Sequence, residues 1–186
     1  ENKTVGHNTD CTGFIRALEM ADITLGGKTL LLGSGGVARM IAFEAILAGA
    51  ELTIAVREAD VQAAEIIKGE IADKLGKPCR VILLDDAEDG YDLVINGTPV
   101  GMYPNVDACP VRESVVKSAG AVFDVIYNPI ETKFIKYAKE AGIRCSGGLS
   151  MLVWQAAVAE EIWNGVKFSY DNIEEVIEIT KKELDG

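Results

Sequence analysis

Histidine is almost absent from this chain, with His7 the only one in 186 residues. His-rich zinc sites are therefore not available, and a Ser-His-Asp triad has one imidazole to draw on and no nucleophile elbow to serve. Cysteine is sparse as well. Cys11, Cys79, Cys109 and Cys145 are scattered with no C-x-x-C spacing, so reduced thiols are expected rather than a disulfide framework. Basic residues are outnumbered, 18 against 29 acidic ones, for a net charge of -11. That argues against a nucleic-acid partner, and none is expected, because neutralising phosphates needs clustered Lys and Arg. No apolar run reaches the roughly 18 residues that span a bilayer, since the longest are interrupted by Arg39 and Glu44 or by Glu160 and Glu161. No membrane partner is expected, and with no signal peptide in view the cytoplasm is the expected location. An initiator methionine is also missing. The chain opens Glu1-Asn2-Lys3 and a motif begins at Gly6, which reads as a fragment of a longer protein.

What is present is a glycine turn in a telling place. Gly33-Ser34-Gly35-Gly36-Val37-Ala38 follows the apolar run Lys28–Leu32 and opens a helical pattern over Val37–Ala48. Strand, glycine turn and helix together form a pyrophosphate site. The first glycine permits the turn, the second lets phosphates approach bare backbone, and the helix N-terminus offers free N–H groups and partial positive charge. A second strand at Leu52–Val56 strengthens the reading.

Elements alternate along the chain. Helices are expected at Cys11–Ala21, with Asp10 placed to cap it, and at Val37–Ala48, Asp60–Leu75, Val111–Ala119, Thr132–Ala141, Met151–Trp163 and Ile173–Leu184. Strands are expected at Thr29–Leu32, Leu52–Val56, Arg80–Leu84, Leu93–Ile95, Val122–Ile126 and Ile143–Cys145. Alternating short apolar strands and helices predict an α/β fold with a parallel sheet covered on both faces. Six strands with the glycine turn after the first predict a doubly wound, Rossmann-like sheet of order 3-2-1-4-5-6. Ligands then bind beyond the carboxyl ends of the strands.

Strand two ends Ala55-Val56-Arg57-Glu58. An arginine here clamps the 2′-phosphate of NADP, whereas an acidic residue accepts from the ribose hydroxyl of NAD. Arg57 points to NADP as the cofactor. Glu58 is either a ribose acceptor or a solvated surface charge.

Gly6-His7-Asn8-Thr9-Asp10-Cys11-Thr12-Gly13-Phe14 resembles the G-x-N-T-D-x-x-G-F signature of shikimate dehydrogenases. The resemblance continues through Gly33–Gly36, through Asn96-Gly97-Thr98-Pro99-Val100-Gly101-Met102 and through Asp124-Val125-Ile126-Tyr127-Asn128-Pro129. It ends at Gly148-Leu149-Ser150-Met151-Leu152-Val153-Trp154-Gln155-Ala156-Ala157. Five blocks in the right order cover nearly the whole chain. The resemblance implies NADP-dependent, reversible reduction of 3-dehydroshikimate to shikimate, in aromatic amino-acid biosynthesis. It assigns Asp10 to the substrate and to a catalytic lysine that it holds in place. It makes Tyr127 and Gln155 substrate contacts. Val125 and Gly148 fall beside the nicotinamide, and Thr98 and Pro99 shape the wall where cofactor crosses the sheet. Gly33, Ser34, Gly35, Gly36, Val37 and Arg57 complete the cofactor set. No metal ligand is expected.

The sequence departs from the family pattern in three places. The usual N-R-T after strand two is Val56-Arg57-Glu58, the usual alanine of N-A-T-P is Gly97, and the substrate domain with its Ser-x-Ser pair and catalytic lysine does not precede the N-T-D block. Residues 1–26 then read as a hinge segment and helix leading from that missing domain, 27–147 as the NADP-binding domain, and 148–186 as helices returning toward the substrate domain. The fragment is expected to bind cofactor without turnover. A quinate/shikimate dehydrogenase with relaxed NAD/NADP use and a non-catalytic nucleotide-binding module are the alternatives. Self-association into a homo-oligomer is expected from the apolar faces of the last two helices.

Overall fold

A computed structural model describes residues 4–184 of the chain. Its order is α1 (Thr9–Met20), β1 (Lys28–Leu32), α2 (Gly36–Leu47), β2 (Glu51–Val56), α3 (Val61–Leu75), β3 (Arg80–Leu83), β4 (Leu93–Asn96), α4 (Glu113–Lys117), β5 (Ala121–Asp124), α5 (Lys133–Glu140), β6 (Arg144–Ser146), α6 (Gly148–Asn164) and α7 (Tyr170–Leu184). The six strands form one sheet of order β3-β2-β1-β4-β5-β6, and every pairing is parallel. This is the order expected from the alternation of elements.

Successive side chains on a strand point to opposite faces, and in β1 both faces are buried. Leu31 joins a core with α1, α2, α3, α6 and α7, whereas Leu30 and Leu32 join one with α4 and α5. An uninterrupted apolar strand is what a sheet covered on both sides requires. Phe14 of α1 meets Phe123 of β5 edge to face, with ring centroids 5.2 Å apart. The first helix and the last two thus share the core of the sheet, through Phe14, Trp154, Ile173 and Ile177.

Helix ends differ from expectation in instructive ways. Asp10 does not cap α1. Asn8 does, its Oδ1 accepting from the backbone N–H of Asp10 (3.1 Å) and Cys11 (3.4 Å). Asn is as good a cap as Asp, and it stands two residues earlier, so the helix starts earlier and the Asp10 carboxylate is left for other use. Strand five stops at Asp124 instead of Ile126, because Asp124 turns its carboxylate back on the chain and accepts from the Ile126 N–H (3.1 Å). Helix α6 begins at Gly148, three residues before the apolar stripe that signalled it. Among the described residues no helix is long and apolar enough to cross a membrane.

Candidate nucleotide-binding site

Strand β1 ends at Leu32, and Gly33 turns the chain with φ 101°. A Cβ at Gly33 would stand 2.9 Å from Thr98 Cγ2 and 3.1 Å from the Gly97 carbonyl. Left-handed backbone and a crowded neighbour together admit only glycine. Helix α2 starts immediately afterwards, with Gly35 at its N-cap position and no side-chain capping bond. Its first N–H groups are therefore unpartnered by side chains, and the positive end of the helix dipole lies beside them. Cβ atoms added at Gly35 and Gly36 would meet nothing within 4 Å. Side chains there would occupy the open space that an anion needs to reach backbone N–H groups.

The sheet's topology puts this turn at its switch point. The chain leaves β1 toward β2 and β3 on one side, and β4 leads to β5 and β6 on the other. Gly33 and Gly97 follow the two neighbouring strands at that reversal, where a crevice opens in doubly wound folds. Two cavities occupy it. The first, about 340 Å³, is lined by Gly33, Ser34, Gly35, Val56, Arg57, Asp60, Ala63, Leu84, Gly97, Thr98, Pro99 and Val100. The second, about 430 Å³, is lined by Gly35, Gly36, Val37, Gly97, Thr98, Pro99, Met102, Tyr103, Val125, Ile126, Tyr127 and Asn128. Gly35, Gly97, Thr98 and Pro99 belong to both, so the two adjoin over the glycine turn.

A buried polar network holds the Thr98–Val100 loop that lines the cavities. Asn96 and Asp124 end β4 and β5 and are fully buried. Asn96 Oδ1 accepts from the Thr98 N–H (3.0 Å) and the Thr98 hydroxyl (2.7 Å), while its Nδ2 donates to Asp124 Oδ1 (3.0 Å) and the Val100 carbonyl (3.3 Å). The Thr98 hydroxyl oxygen also accepts from the Val100 N–H (3.1 Å). The other oxygen of Asp124 accepts from the Thr132 hydroxyl at 2.6 Å, and Thr132 caps α5. Burial pushes the Asp124 carboxyl up to about 6, against the pull of these hydrogen bonds to Thr132, Ile126 and Asn96. No cation pairs with it among the described residues. Asn96 and Asp124 are missing from the site expected from sequence, although both stand in blocks that carry the resemblance. Their position as the last residue of a buried strand was the available signal, since a polar side chain there must find partners.

Most of the expected cofactor set is brought together. Gly33, Ser34, Gly35, Arg57, Thr98 and Pro99 line the first cavity, and Gly36, Val37 and Val125 line the second, together with Tyr127, the expected substrate contact. Gly148 lies directly under Val125: its N–H donates to the Ile126 carbonyl (3.0 Å), and a Cβ on it would sit 2.0 Å from the Val125 oxygen. Glu58 does not line the groove, which leaves Arg57 as the polar group of strand two's end that does. Asp60, absent from the expectation, lines the cavity beside it and pairs with it.

Asp10 and Gln155 are not among the residues that line these two cavities. Asp10 is exposed in the first turn of α1, and its carboxylate bonds to no side chain among the described residues. Gly13, one turn on, packs so tightly on α6 that a Cβ would come within 2.8 Å of the Gln155 backbone nitrogen. The two helices are thus locked together near these residues. Gln155 is also one of the residues around an apolar groove beside α6 and α7, with Leu152, Val166, Phe168 and Val176. Arg16 of α1 secures the far end of this contact through Glu161 (3.0 Å), which also accepts from Lys167 and from the Phe168 N–H. These partners hold the Glu161 carboxyl at about 2, well below the usual carboxylate range, with the Arg16 bond the largest cause. Tyr127 is 45% exposed and is not a core aromatic.

All four cysteines are free, and burial raises each of them, Cys11 up to about 11. Among the described residues no group of three His, Cys, Asp or Glu side chains is placed to hold a metal ion.

A parallel sheet of this order, with a glycine turn after its first strand and a groove at the switch point, defines a Rossmann-like domain of the nucleotide-binding class. The sequence model of the shikimate 5′-dehydrogenase C-terminal domain matches residues 148–178. A relative from Carboxydothermus hydrogenoformans, named shikimate dehydrogenase (NADP(+)), is 41% identical over 169 residues, covering 88% of this chain and 59% of the relative. A Bacillus cereus protein of the same name is 36% identical over 189 residues, covering 100% of this chain and 67% of the relative. The crystal structure of a shikimate dehydrogenase in complex with NADP+ matches with a TM-score of 0.83 at 38% identity, over 96% of this chain and 63% of that one. The chain belongs to the shikimate dehydrogenase family. It spans about three fifths of the length of the first curated relatives that it matches.

Proposed function

We propose that this chain binds NADP in the groove over Gly33–Val37 and serves the reversible reduction of 3-dehydroshikimate to shikimate. The observation that carries the reading is that the two cavities adjoin at the glycine turn and share Gly35, Gly97, Thr98 and Pro99. One end offers Arg57 and the apolar walls of Val56, Ala63 and Leu84, suited to a flat base beside a 2′-phosphate. The middle offers the uncapped start of α2 for the diphosphate. The other end offers Val125 and Tyr127, with Gly148 holding α6 close beneath. The names of the relatives supply the reaction.

When bound, the nicotinamide supplies hydride acceptance and donation. The chain's own residues then hold, orient and exclude. Asn96 locks Thr98 and Val100, so the loop that walls both cavities keeps one shape. The Tyr103 N–H donates to the Asn128 carbonyl (3.3 Å), closing the wall of the second cavity. Asp10 presents an exposed carboxylate on the helix packed against α6. Oxidation of a secondary alcohol needs a base for the hydroxyl proton, and the role of Asp10 is to orient substrate and to hold a cationic base beside it. Tyr127 bonds a substrate hydroxyl, as does Gln155, whose amide both donates and accepts.

Titration calorimetry with NADP+ tests the reading. The expected result is saturable one-to-one binding, weakened roughly 10- to 100-fold by Arg57→Ala, the loss of a charge-assisted contact to phosphate. Unaltered affinity in the variant, or no binding by the wild-type chain, refutes it.

A further inference from the structure

We propose that Asp60 sets the choice of this chain between 2′-phosphorylated and unphosphorylated dinucleotides, an inference that rests on the nucleotide reading above. Asp60 stands at the N-cap position of α3, where an aspartate ordinarily accepts from the first free N–H groups. It makes no such bond. Its carboxylate turns instead to Arg57, whose Nε donates to Oδ2 at 2.8 Å and whose terminal nitrogen lies 2.7 Å from the same oxygen. Both residues line the adenosine end of the groove. Glu58, the acidic residue that the sequence puts next to Arg57, does not.

The pair is built to be displaced. Its side chains are 72% and 36% exposed, and an exposed ion pair contributes little. A phosphate monoester brings close to two negative charges and three acceptor oxygens, so it takes Arg57 from a single carboxylate. The displaced Asp60 then faces that phosphate as a like charge, which limits the gain. A dinucleotide with a free 2′-hydroxyl meets a different arrangement. Asp60 stays on Arg57 through Oδ2, and Oδ1, which bonds to nothing among the described residues, accepts from the hydroxyl. One carboxylate therefore works against NADP and for NAD, and the chain accepts both.

Calorimetric titration of NADP+ and NAD+ into the wild-type chain, Asp60→Asn and Asp60→Ser decides the matter. Serine retains a helix-capping oxygen without the charge, so it separates a structural role from an electrostatic one. The wild-type chain binds both nucleotides. In both variants NADP+ binds about tenfold tighter and NAD+ about threefold weaker, on the scale of one charge-assisted hydrogen bond gained or lost. A merely structural role moves both affinities together and is rescued by serine. A preference ratio within about twofold of wild type in both variants overturns the proposal, as does a wild-type chain that binds NADP+ alone. Binding of neither nucleotide by the wild-type chain overturns the nucleotide reading and this inference with it.

Discussion

Asp124 is expected to lower the stability of this protein as pH rises, by an amount large enough to isolate. The side chain is fully buried between β4, the β5–α5 loop and Thr132, and it receives three hydrogen bonds but no cation. Its carboxyl lies at about 6 in the folded chain against 3.8 when exposed. A group raised on folding binds its proton more tightly in the native state. Its contribution to stability is therefore complete below about pH 4 and is lost as pH rises through 6. A difference of about two pH units at about 1.4 kcal/mol each corresponds to about 3 kcal/mol. Asp124→Asn removes the titration and keeps the shape. Its carbonyl oxygen accepts from Asn96 and Ile126, and its amide donates to the Thr132 hydroxyl, as the protonated acid would. Urea unfolding of both chains between pH 4.5 and 8 gives the variant-minus-wild-type difference, which cancels the titration of every other group. That difference is expected to climb with pH by about 2–3 kcal/mol in favour of the asparagine. Asp124→Ala leaves three buried donors without an acceptor and destabilises at every pH. A flat difference between the asparagine variant and wild type, within about 0.5 kcal/mol across the range, refutes the reasoning.

Three further outcomes follow from the geometry. Gly148→Ala drives a Cβ to 2.0 Å from the Val125 oxygen. The backbone must separate, at a cost of about 3 kcal/mol or more, read as a fall in Tm of about 10 °C. Gly35→Ala is the contrasting case, because its Cβ meets open space and φ is an ordinary -72°. Its stability stays within about 0.5 kcal/mol of wild type, while NADP+ affinity in the same calorimeter falls at least several-fold. Glu161→Gln loses the charge that Arg16 and Lys167 share. Because the folded carboxyl is depressed, its contribution is present above about pH 4.5 and lost as pH falls toward 2. The variant is expected to be about 1–3 kcal/mol less stable at pH 7 and to converge on wild type in acid.

Local chemistry made the scaffold legible. Leu30-Leu31-Leu32 is apolar at every position, as a strand covered on both faces requires, and the alternation of such short runs with helical patterns made the parallel sheet and its doubly wound order legible in the chain. Gly33 announced its turn by standing between an apolar run and a helical pattern, and Arg57 announced an anion site by its place at the end of strand two. Interactions between segments distant in the chain were not legible. Asn96 meets Asp124 only because β4 and β5 pair in one register, and that meeting leaves a carboxylate buried without a cation. Asn8 and Asp10 are equally good caps, and only the geometry of α1 assigns the cap to one and frees the other. The sequence put Glu58 beside Arg57 as the competing acid, yet a 3-10 turn over Glu58–Asp60 swings Asp60 into the groove and leaves Glu58 outside it. Periodicity and backbone preference act over a few residues and are written in the chain, whereas the partner of a buried polar group is chosen by whatever strand or helix arrives beside it.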